Sequence, residues 1–270
     1  MATATATKTP KVAKSAALDV KASASTSVAL KKPANTNIVS VQEAMKNQLA
    51  TLASRIAPAT GIKIRATQDK QFVLPDGTKT GGSLELVIVD FVTTHNFYEG
   101  AFDKDDIVPP GCFAVGTDPR KMFPSANVPN KQADDCQSCP NNQFGSKGKG
   151  KACGNGRLLA VLPADADADT PIWLLQPSAT AIKGFDGYVA GVARTFQAMP
   201  LGVVTTVAFN ENETFAQMTF TDPKPNPNVT EHFGRQSEAR ELLFAERDVS
   251  GYVEFEKAPV RKAAAKPARR

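Results

Sequence analysis

Four cysteines, Cys112, Cys136, Cys139 and Cys153, follow the spacing C-x23-C-x2-C-x13-C, and three of them sit in the stretch CQSCPNNQFGSKGKGKACGNG. A Cys-x2-Cys pair aims two thiolates at one ion because the chain between them turns tightly, and Pro140, Asn141 and Asn142 suit that turn. Gly154-Asn155-Gly156 after Cys153 supplies a second turn that can wrap a ligand without steric penalty. Two such turns meeting at a tetrahedral ion make a ribbon-like zinc site. Four thiolates leave no open coordination position, so the expected Zn2+ is structural. The long first gap makes Cys112 the loosest member of the set, with His95 as its nearby substitute. Free thiols and a redox pair are the competing readings. A thioredoxin-like pair needs a helix directly after it in a βαβ setting, and Pro140-Asn141-Asn142 followed by glycines does not build one.

The charge is distributed unevenly around these cysteines. Residues 1–40 hold six lysines against Asp19, and residues 256–270 hold six basic residues against Glu256, so each end carries +5 of a chain whose total is +5. The remaining body, 41–255, is therefore at −5. Within it, Arg120, Lys121, Lys131, Lys147, Lys149, Lys151 and Arg157 face only Asp134 and Asp135 over residues 120–157, which places +5 on the cysteine segment and −10 on the rest of the body. Positive charge gathered on one element of an acidic body attracts a polyanion to a defined place. The plainer alternative is a solvated lysine-rich loop.

A hydrophobic content of 41% over 270 residues is enough for a buried core. Residues 1–40, built from Ala, Thr, Ser and Lys without an aromatic, read as a disordered basic arm, and 256–270 as a second basic tail. The sequence has no apolar run of about 18 residues and no secretory apolar core at its start, so no membrane partner is expected and the chain reads as intracellular. In a reducing compartment cysteines bind metal or stay free. VQEAMKNQLATLASRI, with Met45, Leu49, Leu52 and Ile56, has the spacing of an amphipathic helix. Strands are expected at IKIRATQ, along SLELVIVDFVTTHNFYEG, and at RLLAVL, PIWLL, VVTTVAF and FAQMTF, while QFVLPDGTKTGG supplies a strand edge and a Pro-Asp-Gly turn. Helices are expected over 178–197 and 231–248. The resulting fold class is α+β: an OB-like antiparallel barrel or sheet over 41–255 with flanking helices and a zinc ribbon inserted at about 110–157.

Gly145-Ser146-Lys147-Gly148-Lys149-Gly150-Lys151-Ala152 imitates a phosphate-binding loop, but Ala152 stands where a hydroxyl must hold magnesium, and no strand-loop-helix frame surrounds it. With two histidines, His95 and His232, and no nucleophile-elbow, zincin or Rossmann pattern, no enzyme is expected. Phe91, Phe97, Tyr98, Phe102, Phe113, Phe123 and Phe144 are interleaved with the basic residues. Basic grooves with aromatic stacking faces are how proteins hold single-stranded nucleic acid. Phe91 alternates into a strand core, whereas Phe97, Tyr98, Phe123 and Phe144 stand in turn-like, polar surroundings and are the candidate stacking faces, with Lys121 among the candidate phosphate contacts.

The segments PPGCFAV, CQSCPNNQFGS and GKGKACGNGRLLAVL, with VVTTVAFN and FAQMTF downstream, resemble a family of tailed-phage zinc-containing proteins over about residues 40–245. That family is similar in role and layout to the single-stranded DNA-binding, helix-destabilising proteins of T-even phages, which set a zinc subdomain against an OB-fold. The resemblance implies that Cys112, Cys136, Cys139 and Cys153 ligate zinc and that Lys147, Lys149, Lys151 and Arg157 contact the DNA backbone. It further implies strand coating in phage replication or recombination, replication or recombination enzymes as partners, and the cytoplasm of an infected bacterium as the location. The basic end PVRKAAAKPARR departs from the acidic tail common in such proteins, which puts partner recruitment through it in doubt. A zinc-ribbon protein that binds a replication or transcription enzyme is the alternative.

Overall fold

The computed structural model describes residues 62–100 and 108–253. The helix expected over 41–56, Phe102 and both basic tails lie outside them. In chain order the elements are β1 (Lys63–Ala66), β2 (Gln71–Val73), β3 (Lys79–Gly81), β4 (Ser83–Phe97), β5 (Cys112–Gly116), β6 (Cys153–Pro163), β7 (Trp173–Leu175), α1 (Ile182–Phe196), β8 (Val203–Phe209), β9 (Met218–Pro225), α2 (Val229–Gly234) and α3 (Gln236–Leu243).

The β-branched run SLELVIVDFVTTHNF forms the 15-residue strand β4, the spine of a mixed α+β structure. The strands order as β3-β2-β1-β7-β6-β4-β8-β9. β6 pairs along one edge of β4, while β8 and β5 share the other edge, β8 beside Ser83–Val87 and β5 beside Thr93–Phe97. Pairing is antiparallel except between β1 and β7. The sheet curls into a half-barrel. Its curl brings Phe72 of β2 onto Phe209 of β8 as a ring stack at 4.3 Å, and the Lys70 ammonium donates to the carbonyls of Asn210 and Glu213 at the far hairpin.

Alternation along β4 divides the core into two layers. Leu86 and Ile88 join Phe72, Leu159, Phe185 and Val207 on one face, whereas Val87 and Val89 join Leu162, Leu174, Leu201 and Leu243 on the other. A bulge between Ile88 and Asp90 shifts the register. Helix α1 closes the first layer through Phe185, whose ring meets Phe91 at 5.1 Å and Phe220 at 5.0 Å, both edge-on. Ala239 and Leu243 of α3 close the second.

Three expectations change. Gly154-Asn155-Gly156, expected as a turn after Cys153, is extended strand within β6, because it pairs in register with Asn96, His95 and Thr94 of β4. The single helix anticipated over 231–248 is two short ones, because α2 ends at Gly234 and the Arg235 guanidinium is drawn to the Thr170 carbonyl and the Glu238 carboxylate. The strand anticipated from Phe215 starts at Met218 and runs on to Pro225. Cys112 and Cys153 open β5 and β6 of the main sheet; between these strands stand a 3-10 turn at Pro140–Asn142 and a bridge between Lys147 and Gly150. Among the described residues no helix is long and apolar enough to cross a membrane.

Candidate nucleic-acid interface and cysteine cavity

Phe97, the last residue of β4, has Cys112 of β5 in register on one side and Cys153 of β6 on the other. Cross-strand neighbours point to the same face, so both thiols share the face that carries Phe97 and His95. Cys136 and Cys139 reach the same place from a built turn. The Asp135 carboxylate accepts from the amides of Gln137 and Ser138 at 2.8 and 2.7 Å and from the Ser138 hydroxyl, and these bonds hold it below the usual carboxylate range. The Asn142 side chain donates to the Cys136 carbonyl at 2.7 Å, and the Asn142 amide to the Cys139 carbonyl at 3.0 Å.

All four cysteines are buried and unpaired as disulfides, and with His95, Phe97 and Asn142 they line one cavity of about 10 Å³. Space on that scale holds a single atom-sized guest. Among the described residues no three Cys, His, Asp or Glu side chains already converge as a coordination shell. The donor set nevertheless suits a thiophilic ion. It offers four sulfurs, with the Gln132 amide directed at Cys112 and the Asn96 amide at Cys153, as supporting N–H groups around metal thiolates are. Burial, then the charges of Cys112 and Cys139, pushes Cys136 up to about 11; burial, then Cys136, Cys139 and Cys112, pushes Cys153 up to about 12. Cys153 feels all three of the other thiols and Cys136 two of them, so the cysteines are close enough to interact electrostatically. His95, buried, leaves Nδ1 without a partner among the described residues, and burial followed by Lys151 and Arg157 lowers its pKa.

A second feature arises where β7 stops. β6 has β7 beside it at Leu159–Val161, and β1 has β7 beside it at Lys63 and Ile64; beyond Leu175 this pairing ends. Gly154–Leu158 of β6 and Arg65–Ala66 of β1 therefore have no β7 residue in register beside them, and Gln176–Ala179 run on along the opening, with Gln176 Nε2 3.7 Å from where a Cβ on Gly156 would stand. This opening is the floor of an open groove of about 930 Å³. Lys63, Arg65, Lys147 and Lys151 line it with Tyr98, Phe215, Asn96, Asn155 and Gln176, and among the described residues no carboxylate does. Tyr98 is 53% exposed there. The floor is glycine for a reason: a Cβ on Gly156 would lie 2.7 Å from Thr94 Oγ1, a buried hydroxyl without a partner among the described residues.

The lysine loop forming one wall is a tight turn. Gly145 and Gly148 adopt φ of +91° and +59°, values open to glycine, and the Gly145 and Gly150 amides donate to the Gly150 and Lys147 carbonyls at 2.9 and 3.0 Å. The Lys151 ammonium donates to Asn142 Oδ1 at 3.2 Å and lies 5.0 Å from the centre of the Phe144 ring, which is 82% exposed. One lysine thus joins the Cys-x2-Cys turn, the groove and a bare aromatic face.

The structure brings Lys147, Lys151 and Tyr98 together in the groove and sets Phe144 at its rim. Phe97 turns instead into the cysteine cavity, and Arg157, 13% exposed, is held by Asp186 through two bonds at 3.0 and 2.8 Å. Lys121, Lys149 and Phe123 are exposed but are not among the groove-lining residues. Lys63, Arg65, Phe215 and Gln176 were not anticipated as site residues. The alternation in IKIRATQ does mark Lys63 and Arg65 as one outward face, but not what they face. Comparison with protein-family models, curated proteins and solved structures found no match.

Proposed function

We propose that the protein binds single-stranded DNA in the groove between β1 and β6. The observation that carries this reading is the groove itself: four cations, two exposed aromatics and no carboxylate among its described lining, on a body whose charge is otherwise negative. Basic side chains neutralise phosphates, and aromatic faces take unpaired bases at about 1–3 kcal/mol each. Stacking faces such as Tyr98 and Phe215 are of use to unpaired bases and not to a duplex, whose bases are already stacked on one another. In this reading the sheet is an OB-like core, the cysteine loops are its zinc ribbon, and the protein coats exposed strands during phage replication or recombination in the host cytoplasm, without catalysis. Cys112, Cys136, Cys139 and Cys153 would hold the zinc, which supplies cross-linking of the loops and no chemistry. The Asp135-capped turn and the Lys151–Asn142 bond then fix the basic wall to that cross-link.

Fluorescence anisotropy of a labelled mixed-sequence strand tests this, with unlabelled duplex as competitor. The expected result is binding that duplex does not displace and that the double variant Lys63→Ala, Arg65→Ala weakens by about tenfold. Equal competition by duplex would leave only nonspecific attraction of a polyanion and overturn the groove. One observation favours the other reading, an interaction protein for a replication or transcription enzyme. Val229, Phe233 and Phe244 are exposed large apolar side chains on and just after α2 and α3.

A further inference from the structure

A second pocket, of about 420 Å³, opens beside the groove and shares Lys151 and Asn155 with it. Its floor follows from register: Thr93 pairs with Arg157 and His95 with Asn155, which places these four on one face of β4 and β6. Arg120, Gln137, Gln143 and Lys151 come in from the loops on either side of the cysteines. Among the described residues no carboxylate lines the pocket. Arg157 is occupied by Asp186, so the accessible positive charge comes from Lys151 and from Arg120, whose pairing with Asp118 at 3.5 Å is on the surface and weak. Gln143 donates its amide nitrogen to the Gln137 and Cys139 carbonyls, which turns its Oε1 into a fixed acceptor. The pocket therefore combines two cations at its mouth with amide donors and acceptors, and its volume suits one nucleotide.

We infer that this is a side pocket of the groove that takes one unstacked nucleotide of the bound strand, its phosphate against Arg120 and Lys151 and its base against the Gln137, Gln143 and Asn155 amides. The inference rests on the single-strand reading of the groove. A strand passing Lys151 meets the Phe144 ring on one side and the pocket on the other, so one nucleotide leaves the stack where the groove ends. Recognition of this kind is a base edge met by hydrogen bonds after extrusion, with the phosphate holding register.

The test uses the full chain and two probes. Thymidine 5′-monophosphate, titrated while the histidine ring signals are followed by NMR, is expected to move the His95 resonances and leave those of His232, which is fully buried elsewhere and bonded to Asn226. With the labelled strand, Arg120→Ala is expected to raise Kd about five- to tenfold and Lys121→Ala less than about twofold, although the two residues are neighbours of equal charge and only Arg120 lines the pocket. His95 unmoved by the nucleotide, or equal losses from Arg120→Ala and Lys121→Ala in a protein that still binds the strand, would overturn the pocket and leave the groove standing. Failure of the unaltered protein to bind the strand at all would overturn the groove, and the pocket with it.

Discussion

Gly156 shows how much rests on one missing methyl group. Its would-be Cβ collides with Thr94 Oγ1 at 2.7 Å, and Thr94 is buried, so its hydroxyl cannot move aside into solvent. Gly156→Ala is expected to lower stability by about 1–3 kcal/mol in urea unfolding, as overpacking does, and to weaken strand binding by raising the groove floor. Wild-type stability in the variant would show that the groove floor yields. The sequence reads this glycine as a turn residue, whereas it is strand, and the residue that demands it lies 62 positions earlier on the strand that the register brings alongside. Arg157 repeats the lesson. Its charge marks it as a phosphate contact, while its guanidinium is bound by Asp186, 29 residues further on and one turn into α1. Lys63 and Arg65 go the other way, ordinary as solvent-facing strand residues until the end of β7 exposes what stands opposite them.

At the scale of elements, those with a strong local period are the ones that can be read directly: β4, β8 and α1 lie where alternation or three- and four-residue spacing puts them. The 231–248 helix breaks because side-chain bonds from Arg235 to Thr170 and Glu238 override a continuous helical pattern, and the groove is invisible because it is defined by the strand that ends there. Helix α1 carries Gly184, Gly187 and Gly191, and a Cβ at any of them meets nothing within 4 Å. Gly187→Ala is therefore expected to stabilise the protein by about 0.5–1 kcal/mol and raise Tm, with strand affinity unchanged. A lowered Tm would mean that the exposed face of α1 packs against something. In the cysteine loops, Cys139→Ser is expected to lose bound zinc and to reduce strand affinity more than Lys149→Ala, because the first unfastens the basic wall and the second removes one exposed charge. Full zinc stoichiometry in Cys139→Ser would remove that residue from the ligand set.

For the whole molecule the deciding quantity is where charge lies. The total of +5 conceals basic ends, a basic cysteine segment and an acidic remainder. Binding should fall steeply with salt, since each neutralised phosphate releases about one counterion. Removal of residues 254–270, which takes away six basic residues, is expected to flatten the slope of log Kd against log salt while preserving preference for single strands over duplex, since the proposal assigns that preference to the groove. Loss of the preference on truncation would move the site from the groove to the tail. Of the cysteine cluster, the Cys136–Cys139 pair is open to sequence reasoning because its spacing is local, whereas Cys112 and Cys153 meet it only through their pairing with Phe97. The acid-free groove required the fold of the complete sheet.

The stretch after α3 returns across the sheet, where Arg247 donates to Asn96 at 2.7 Å and lies over the Phe113 ring, and the Tyr252 hydroxyl donates to Glu99 at 2.7 Å. Asn96 and Tyr98 both line the groove. These two bonds fasten the point where the basic tail leaves the body to the rim of the groove. A tail so tethered meets a strand in the groove at an effective concentration on the order of millimolar, whatever the amount of protein present. Under the proposed binding mode, cations joined to the body at that point need no second encounter from solution to add to a strand the groove already holds.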